Sequence, residues 1–409
     1  MNGASHRIRV FEHQQLRVGD VVEGVLFTSQ HLDALQAFAK RHFTPYFSLI
    51  PEGVRFAQYV GALQVGNLTI EILPKTDADS QTMQAVLLDM LRLCQMLPRQ
   101  PTPADLHAQR LTLPELFVGQ WLESLEQLLL RGLVQGYQRK EAARLSLKGQ
   151  LRWSQQLRNQ ARGLPQFITI AEERTTVHRY KQILYAALNR LQALPLSPAQ
   201  SYKMQHLLFQ WPPLPPIKQL PHANQLHFDR HTQHYKQPVQ DALLLLQQLQ
   251  PGVRGGAHPA LAMLFDMNRL FETYIFRQLQ QAAPEGVNRH PNRLFWQDRY
   301  LRPDLLLQLP NGRRIVLDIK WKHLQRLAPN MHDLRQLFTY HQYFNATHSA
   351  LVYPRVASLS DPDPISFYPV PGSSNVYTMQ ILFADIVKNG ALNKALGQEL
   401  LERLLLHSF

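Results

Sequence analysis

Apolar positions change period several times along the chain. In HLDALQAFAKRHF they recur as on one face of a helix. VRFAQYVGALQVGNLTIEILPKT instead alternates in two strand-like runs around Gly66-Asn67, a dipeptide suited to a primed hairpin turn, and Pro74 closes the second run. From Gln81 to about Gly136 the spacing is helical again, in TMQAVLLDMLRLCQML and LPELFVGQWLESLEQLLLRGLVQGY. A basic stretch follows, RKEAARLSLKGQLRWSQQLRNQARG, and then another helical run, TTVHRYKQILYAALNRLQAL. WPPLPPIKQLP, from Trp211 to Pro221, must be extended because proline blocks a helix, and it reads as a stiff connector or as an SH3-type ligand. PGVRGGAHP, from Pro251 to Pro259, is the clearest break. Beyond it the pattern predicts a helix over 260–281, strands between Leu294 and Lys322, a helix over 332–344 and a strand over 349–353. The expected organisation is α/β and multidomain. It comprises a small mixed α/β N-terminal domain (1–110), a mainly helical middle region with the proline-rich connector (111–255), and a separate C-terminal domain (256–409).

Composition narrows the functional classes. A hydrophobic fraction of 45% with 18% charged residues fits a folded globular protein and excludes global disorder. The formal charge of +13 suits a polyanionic partner, since each Lys or Arg placed on a phosphate releases a condensed counterion. Cys94 is the only cysteine, so neither an intrachain disulfide nor a cysteine zinc cluster can form, and its apolar surroundings mark it as a small buried hydrophobe. No G-x-x-x-x-G-K-[ST] occurs, so no nucleotide site is expected on this chain. The first residues lack a signal-peptide core and no apolar run would span a bilayer, so no membrane association and a cytoplasmic location are the expectations.

The densest chemistry lies in RPDLLLQLPNGRRIVLDIKWK. DLLLQL and RRIVLDIKWK flank Pro310-Asn311-Gly312, which predicts a β-hairpin. Strand alternation puts Ile315, Leu317, Ile319 and Trp321 on one face, expected to be the buried one, and Val316, Asp318, Lys320 and Lys322 on the other. Asp304 is carried on the paired strand. Two carboxylates converging beside a lysine suit phosphodiester hydrolysis: Mg²⁺ takes oxygen ligands, and an ammonium can position water or stabilise developing charge. A surface hairpin with an incidental Asp318/Lys320 pair would give the same spacing.

Pro303-Asp304 followed across a hairpin by Asp318-Ile319-Lys320 resembles the PD-(D/E)xK nuclease signature. In that fold a preceding helix brings a glutamate, and FDMNRLFETYIF supplies Glu272. The helix after the hairpin carries Gln336 and Tyr340 on one face, similar to the Gln-x-x-x-Tyr motif of RecB-like nucleases. FDMNRLFE, the PD…VLDIKWK hairpin and DLRQLFTYHQYF together resemble the McrC family, the nuclease subunit of McrBC-type modification-dependent restriction systems. TIEILPK with Pro74 and Lys75, HRYKQILYAALNRL, and Phe228-x-Arg230…Tyr235 resemble it too. The resemblance implies a restriction-endonuclease-like C-terminal domain that cleaves modified DNA, leaving 5′-phosphate and 3′-hydroxyl ends. It also implies a McrB-type AAA+ GTPase hexamer as partner, stimulated by docking of the N-terminal part, with Pro74 and Lys75 as docking candidates. Asp304 and Asp318 would hold Mg²⁺, with Mn²⁺ able to substitute. Lys320 would act on the water, and Glu272, Gln336 and Tyr340 would support the site. A repair-type nuclease of the same superfamily and a non-catalytic activator of a GTPase ring are the alternatives.

Two other constellations compete. His227, His231 and His234 would share a face if helical and could bind zinc, but no H-E-x-x-H glutamate accompanies them. Lys148, Arg152 and Trp153 could contact phosphate and stack on a base, or line an interdomain surface.

Overall fold

A computed structural model describes residues 6–41, 45–65, 68–76, 79–97, 112–194, 196–217, 219–222, 225–250, 260–309, 311–324, 328–355, 359–369 and 376–406. The turn residues Gly66, Asn67 and Pro310 and the break at 251–259 lie outside these segments. The chain is mixed α/β and forms two compact units, one of residues 1–114 with 262–409 and one of residues 115–261.

In the first unit the N-terminal hairpin forms as its alternation predicts, Tyr59–Val65 pairing antiparallel with Leu68–Leu73 and Val65 facing Leu68. His6–Phe11 adds on the outer side in parallel, from His6 opposite Leu68 to Phe11 opposite Leu73. The strand Ala260–Asp266 lies on the other side of Tyr59–Val65. Gly61 permits this approach: its φ is +130°, and a Cβ there would sit 2.1 Å from the Met263 carbonyl oxygen. ALAMLFD is therefore a strand where its apolar run predicted a helix. A short unbroken apolar run fits either element, and neighbouring strands supplied the hydrogen bonds. The helix starts only at Met267, where the Asp266 carboxylate caps the amides of Asn268 and Arg269, and runs to Ala282.

A second sheet in this unit positions the chemistry. Its order is Val287–Arg289, Leu305–Gln308, Arg314–Ile319, His348–Pro354, Thr378–Ala384 and Ile365–Ser366. The predicted hairpin forms with Leu305 opposite Leu317 and Leu307 opposite Ile315. Arg314–Ile319 then pairs in parallel with His348–Pro354, Asp318 facing Leu351. Between these parallel strands runs the helix Met331–Phe344, capped by Asn330 and ended by Asn345 in the left-handed region at φ 50°. Both faces of the central strand are covered. Val316 packs with Leu337, Tyr340 and Phe344 of this helix, while Ile315, Leu317 and Ile319 on the other face are buried as well. The hairpin is thus a core element, as expected where parallel strands are sandwiched between helices. The polar residues Asp318, Lys320 and Lys322 made one face look open.

The N-terminal segment belongs to the same unit. Glu12 is 2% exposed, and one of its oxygens accepts from the Trp321 indole at 2.6 Å and from the Lys75 amide at 3.0 Å. Cys94 is buried beside the Leu270 carbonyl, and burial pushes its thiol up to about 12. The N-terminal segment thus packs on the Met267–Ala282 helix and the end of the central strand, and the domain expected over 256–409 is not separate from it but shares one unit.

The second unit holds the helices Leu113–Arg131, Trp153–Ala161, Arg179–Leu191, Pro198–Gln210 and Lys236–Gln248, with a three-stranded antiparallel sheet. In that sheet Gly136–Arg144 pairs along its length with Phe167–Thr175. Trp211, Leu214 and Pro221 of the proline-rich segment are buried and anchor it, while Pro213, Pro215 and Pro216 are exposed. Among the described residues no helix is long and apolar enough to cross a membrane.

The helix Leu396–Leu406 crosses close to Met267–Ala282 at Gly397, where a Cβ would lie 2.1 Å from the Gln278 carbonyl oxygen. Gly397→Ala must push two helix backbones apart, an overpacking cost of ~1–3 kcal/mol. The urea midpoint should fall accordingly; an unchanged midpoint would mean that the helices are not in this close contact.

A carboxylate and lysine cluster at the end of the central sheet

The pairing of Leu305 with Leu317 fixes where the acidic groups meet. Asp304 immediately precedes its strand, and its Oδ2 accepts from the Ile319 amide at 2.7 Å. Asp318 is 1% exposed, with Oδ2 2.8 Å from Lys320 Nζ, although no well-directed hydrogen bond closes that contact. The Lys320 amide donates to Val352, which keeps the end of the strand in register. From the preceding helix Glu272 reaches the same region, its Oε1 3.0 Å from His290 Nε2 and 3.2 Å from Arg289 Nη2. Glu272, His290 and Asp304 each offer a ligand atom, and those atoms lie within 4.8 Å of one another.

Sequence reasoning placed Glu272, Asp304, Asp318 and Lys320 together, and the fold brings all four to one place. It missed His290. This residue sits in the irregular NRHPN segment at φ 49°, with no spacing motif to flag it, and its amide donates to the Asp304 carbonyl at 3.0 Å. Gln336 and Tyr340 lie on the covering helix. Gln336 donates to the Tyr340 hydroxyl at 2.7 Å, and that hydroxyl donates to the Arg302 carbonyl at 3.1 Å. Tyr340 is 3% exposed, and what the pair touches is the backbone leading into Pro303-Asp304. Pro74 is buried and Lys75 exposed. In the other unit, His227 and His231 are outside any helix and His234 lies in a short 3₁₀ turn, so the shared helical face does not form. Trp153 is 70% exposed there, and Arg152 pairs with Glu141 at 3.2 Å.

The electrostatics follow from this crowding. Burial and then the neighbouring Asp318 charge push the Asp304 carboxyl up to about 7, against the hydrogen bond from Ile319. Asp318 is also raised, by burial, with Lys320 holding it back. Burial opposes the charge on Lys320, but Asp318 and Asp304 outweigh it and raise its pKa, so it is an ammonium at neutral pH. The donor set of carboxylate oxygens and one imidazole fits a hard divalent cation. The elevated Asp304 marks a place where a further positive charge would be favourable.

The fold and site define a mixed α/β protein with an acidic cluster and one lysine at the end of a helix-covered sheet. The chain belongs to the family of McrBC 5-methylcytosine restriction system components, whose family model matches residues 54–354. No curated protein matches it. Among solved structures it resembles a chain of the refined half-complex from the tetradecameric assembly of Thermococcus gammatolerans McrB AAA+ hexamers with bound McrC. That match has 21% identity and a TM-score of 0.67, over 98% of this chain and 100% of that one. A second match, in the cryo-EM structure of the Thermococcus gammatolerans McrBC complex, has 21% identity and a TM-score of 0.51, over 66% of this chain and 86% of that one.

The raised Asp304 gives a signed pH dependence. Metal-free folded protein holds a proton there that the unfolded chain releases between 3.8 and about 7, so this group's contribution to stability is present below 3.8 and lost as pH rises through about 7. Asp304→Asn, which mimics the protonated form, should gain on wild type over that window in EDTA. Parallel stability curves for the two proteins would contradict the elevated value.

Proposed function

We propose that this chain is the DNA-cleaving subunit of a McrBC-type restriction system. It would be a metal-dependent endonuclease that cuts modified DNA together with a McrB-type AAA+ GTPase, which it stimulates. The observation that carries the reading is the convergence of Asp304, Asp318 and Lys320 at one end of a hairpin whose register is set by Leu305 and Leu317. Glu272 on the preceding helix and the covering helix after the hairpin support a restriction-endonuclease-like PD-(D/E)xK domain. Family membership supports the restriction-system role. The Thermococcus gammatolerans assemblies contain McrC bound to McrB AAA+ hexamers, and an equivalent motor partner is inferred here.

Asp304 and Asp318 would hold Mg²⁺ or Mn²⁺, and Glu272 and His290 each offer a further ligand atom within 4.8 Å of that of Asp304. The ion would supply positive charge to neutralise a scissile phosphate. Lys320 is kept as an ammonium by its acidic neighbours, so it acts as a donor toward a phosphoryl oxygen or the attacking water, not as the base. The Gln336–Tyr340–Arg302 relay holds the backbone that presents Asp304, which fixes the carboxylate before substrate arrives.

Asp304→Ala, Asp318→Ala and Lys320→Ala should each slow cleavage of modified plasmid by at least ~100-fold, ~2.7 kcal/mol of barrier, in the presence of partner, GTP and Mg²⁺. Each should still stimulate the GTPase. Wild-type cutting by Asp318→Ala would remove these residues from the catalytic centre. For docking, Lys75 is the exposed end of the buried hairpin, and Pro74 shapes its backbone. Lys75→Glu should lower GTPase stimulation several-fold at an unchanged melting temperature; full stimulation would place the motor contact elsewhere.

A further inference from the structure

Between His290 and Asp304 the chain makes a detour that the catalytic cluster does not need. Arg293–Trp296 and Arg299–Leu301 form a two-stranded ribbon, with Arg293 opposite Leu301, Leu294 opposite Tyr300 and Trp296 opposite Arg299. It is a sheet by itself, joined to no other strand among the described residues. Every residue from Asn292 to Tyr300 is exposed, Leu294 at 59%, Phe295 at 50%, Trp296 at 63% and Tyr300 at 50%. Phe295 rests edge-on against Tyr343 of the covering helix at 5.4 Å, but Leu294, Trp296 and Tyr300 keep large apolar surface in solvent, and a two-stranded ribbon of that kind is built to meet something.

Its roots identify the occupant. The ribbon leaves the candidate site at His290, 3.0 Å from Glu272, and returns through Arg302 to Asp304; the His290 amide to Asp304 carbonyl bond closes its base. With about three cross-strand pairs at ~3.3 Å per residue, its paired portion is ~10 Å long. Arg293, Arg299 and Arg302 are exposed, and Arg302 lies over the Tyr300 ring at 5.7 Å. Asp298 is the only acidic residue between Asn292 and Arg302. Three guanidiniums interleaved with aromatics match a phosphate backbone and base surfaces, and a two-stranded ribbon fits the major groove of duplex DNA.

We propose that the Arg293–Leu301 ribbon is a DNA-engaging element that grips the duplex next to the scissile phosphate. Arg293 and Arg299 would contact phosphates, while Trp296 and Tyr300 would rest against the groove. The proposal rests on the nuclease reading of the adjoining cluster.

The test uses the full chain and a short fluorescein-labelled duplex, with anisotropy titrations in EDTA from ~50 to ~200 mM salt. The double variant Arg293→Ala/Arg299→Ala should bind at least ~10-fold more weakly than wild type, with a log–log salt slope smaller by ~2. Trp296→Ala should weaken binding with little change in slope. Asp318→Asn should bind like wild type yet fail to cut with partner, GTP and Mg²⁺, which separates binding from chemistry. Melting temperatures should stay level, because all the altered ribbon side chains are exposed. Wild-type affinity and slope in the double variant would overturn the proposal while leaving the nuclease reading intact. So would a wild-type chain that does not bind the duplex. A variant that keeps DNA affinity but loses self-association in sedimentation would make the ribbon an interface between two copies, also overturning it. Cutting by Asp318→Asn would sink the nuclease reading alone.

Discussion

Carboxylates repel one another, and a fold that gathers several must hold them by contacts stronger than that repulsion. In this chain the hold is backbone register. The hairpin places Leu305 against Leu317, and Asp304 is then pinned by the Ile319 amide. Parallel pairing of Asp318 with Leu351 locks the second carboxylate to the middle of a sheet covered on both faces. A one-residue slip would turn Asp318 to the opposite face, so packing of Ile315, Leu317 and Ile319 also fixes the chemistry. Burial first and the Asp318 charge second push Asp304 up to about 7 in this geometry.

That hold extends beyond the hairpin. Trp321 directly follows Lys320, packs edge-on against Phe271 at 5.1 Å, and donates to buried Glu12. Glu12 in turn accepts from Lys75, the exposed end of the N-terminal hairpin. A residue one position from Glu272 and a residue one position from Lys320 are thus in contact. The N-terminal segment closes the group from behind.

Much of this was legible in the chain. Alternation in DLLLQL and RRIVLDIKWK, with a turn tripeptide between them, is a local signal, and it gave the hairpin and the convergence of Asp304, Asp318 and Lys320. Helical spacing around Gln336 and Tyr340 was equally local. What escaped depends on distant partners. ALAMLFD carries no period that separates strand from helix, and only its neighbour Tyr59–Val65 decides. Burial of both faces of the central strand could not be read from a face bearing an aspartate and two lysines. His290 belongs to no repeat or motif, and the Glu12–Trp321 contact joins residues 309 positions apart.

The order of synthesis makes that separation a timing problem. Tyr59–Val65 waits for its neighbour Ala260–Asp266 until about 200 more residues have been made. At ~5–20 residues per second this is ~10–40 s on the ribosome. During that interval a nascent strand edge, rich in valine and leucine, has no permanent neighbour and is open to wrong pairing. The intervening residues 115–261 form a compact unit of their own and can fold in the meantime. Expression of this protein should therefore depend on chaperone capacity and elongation rate more than its final packing would suggest.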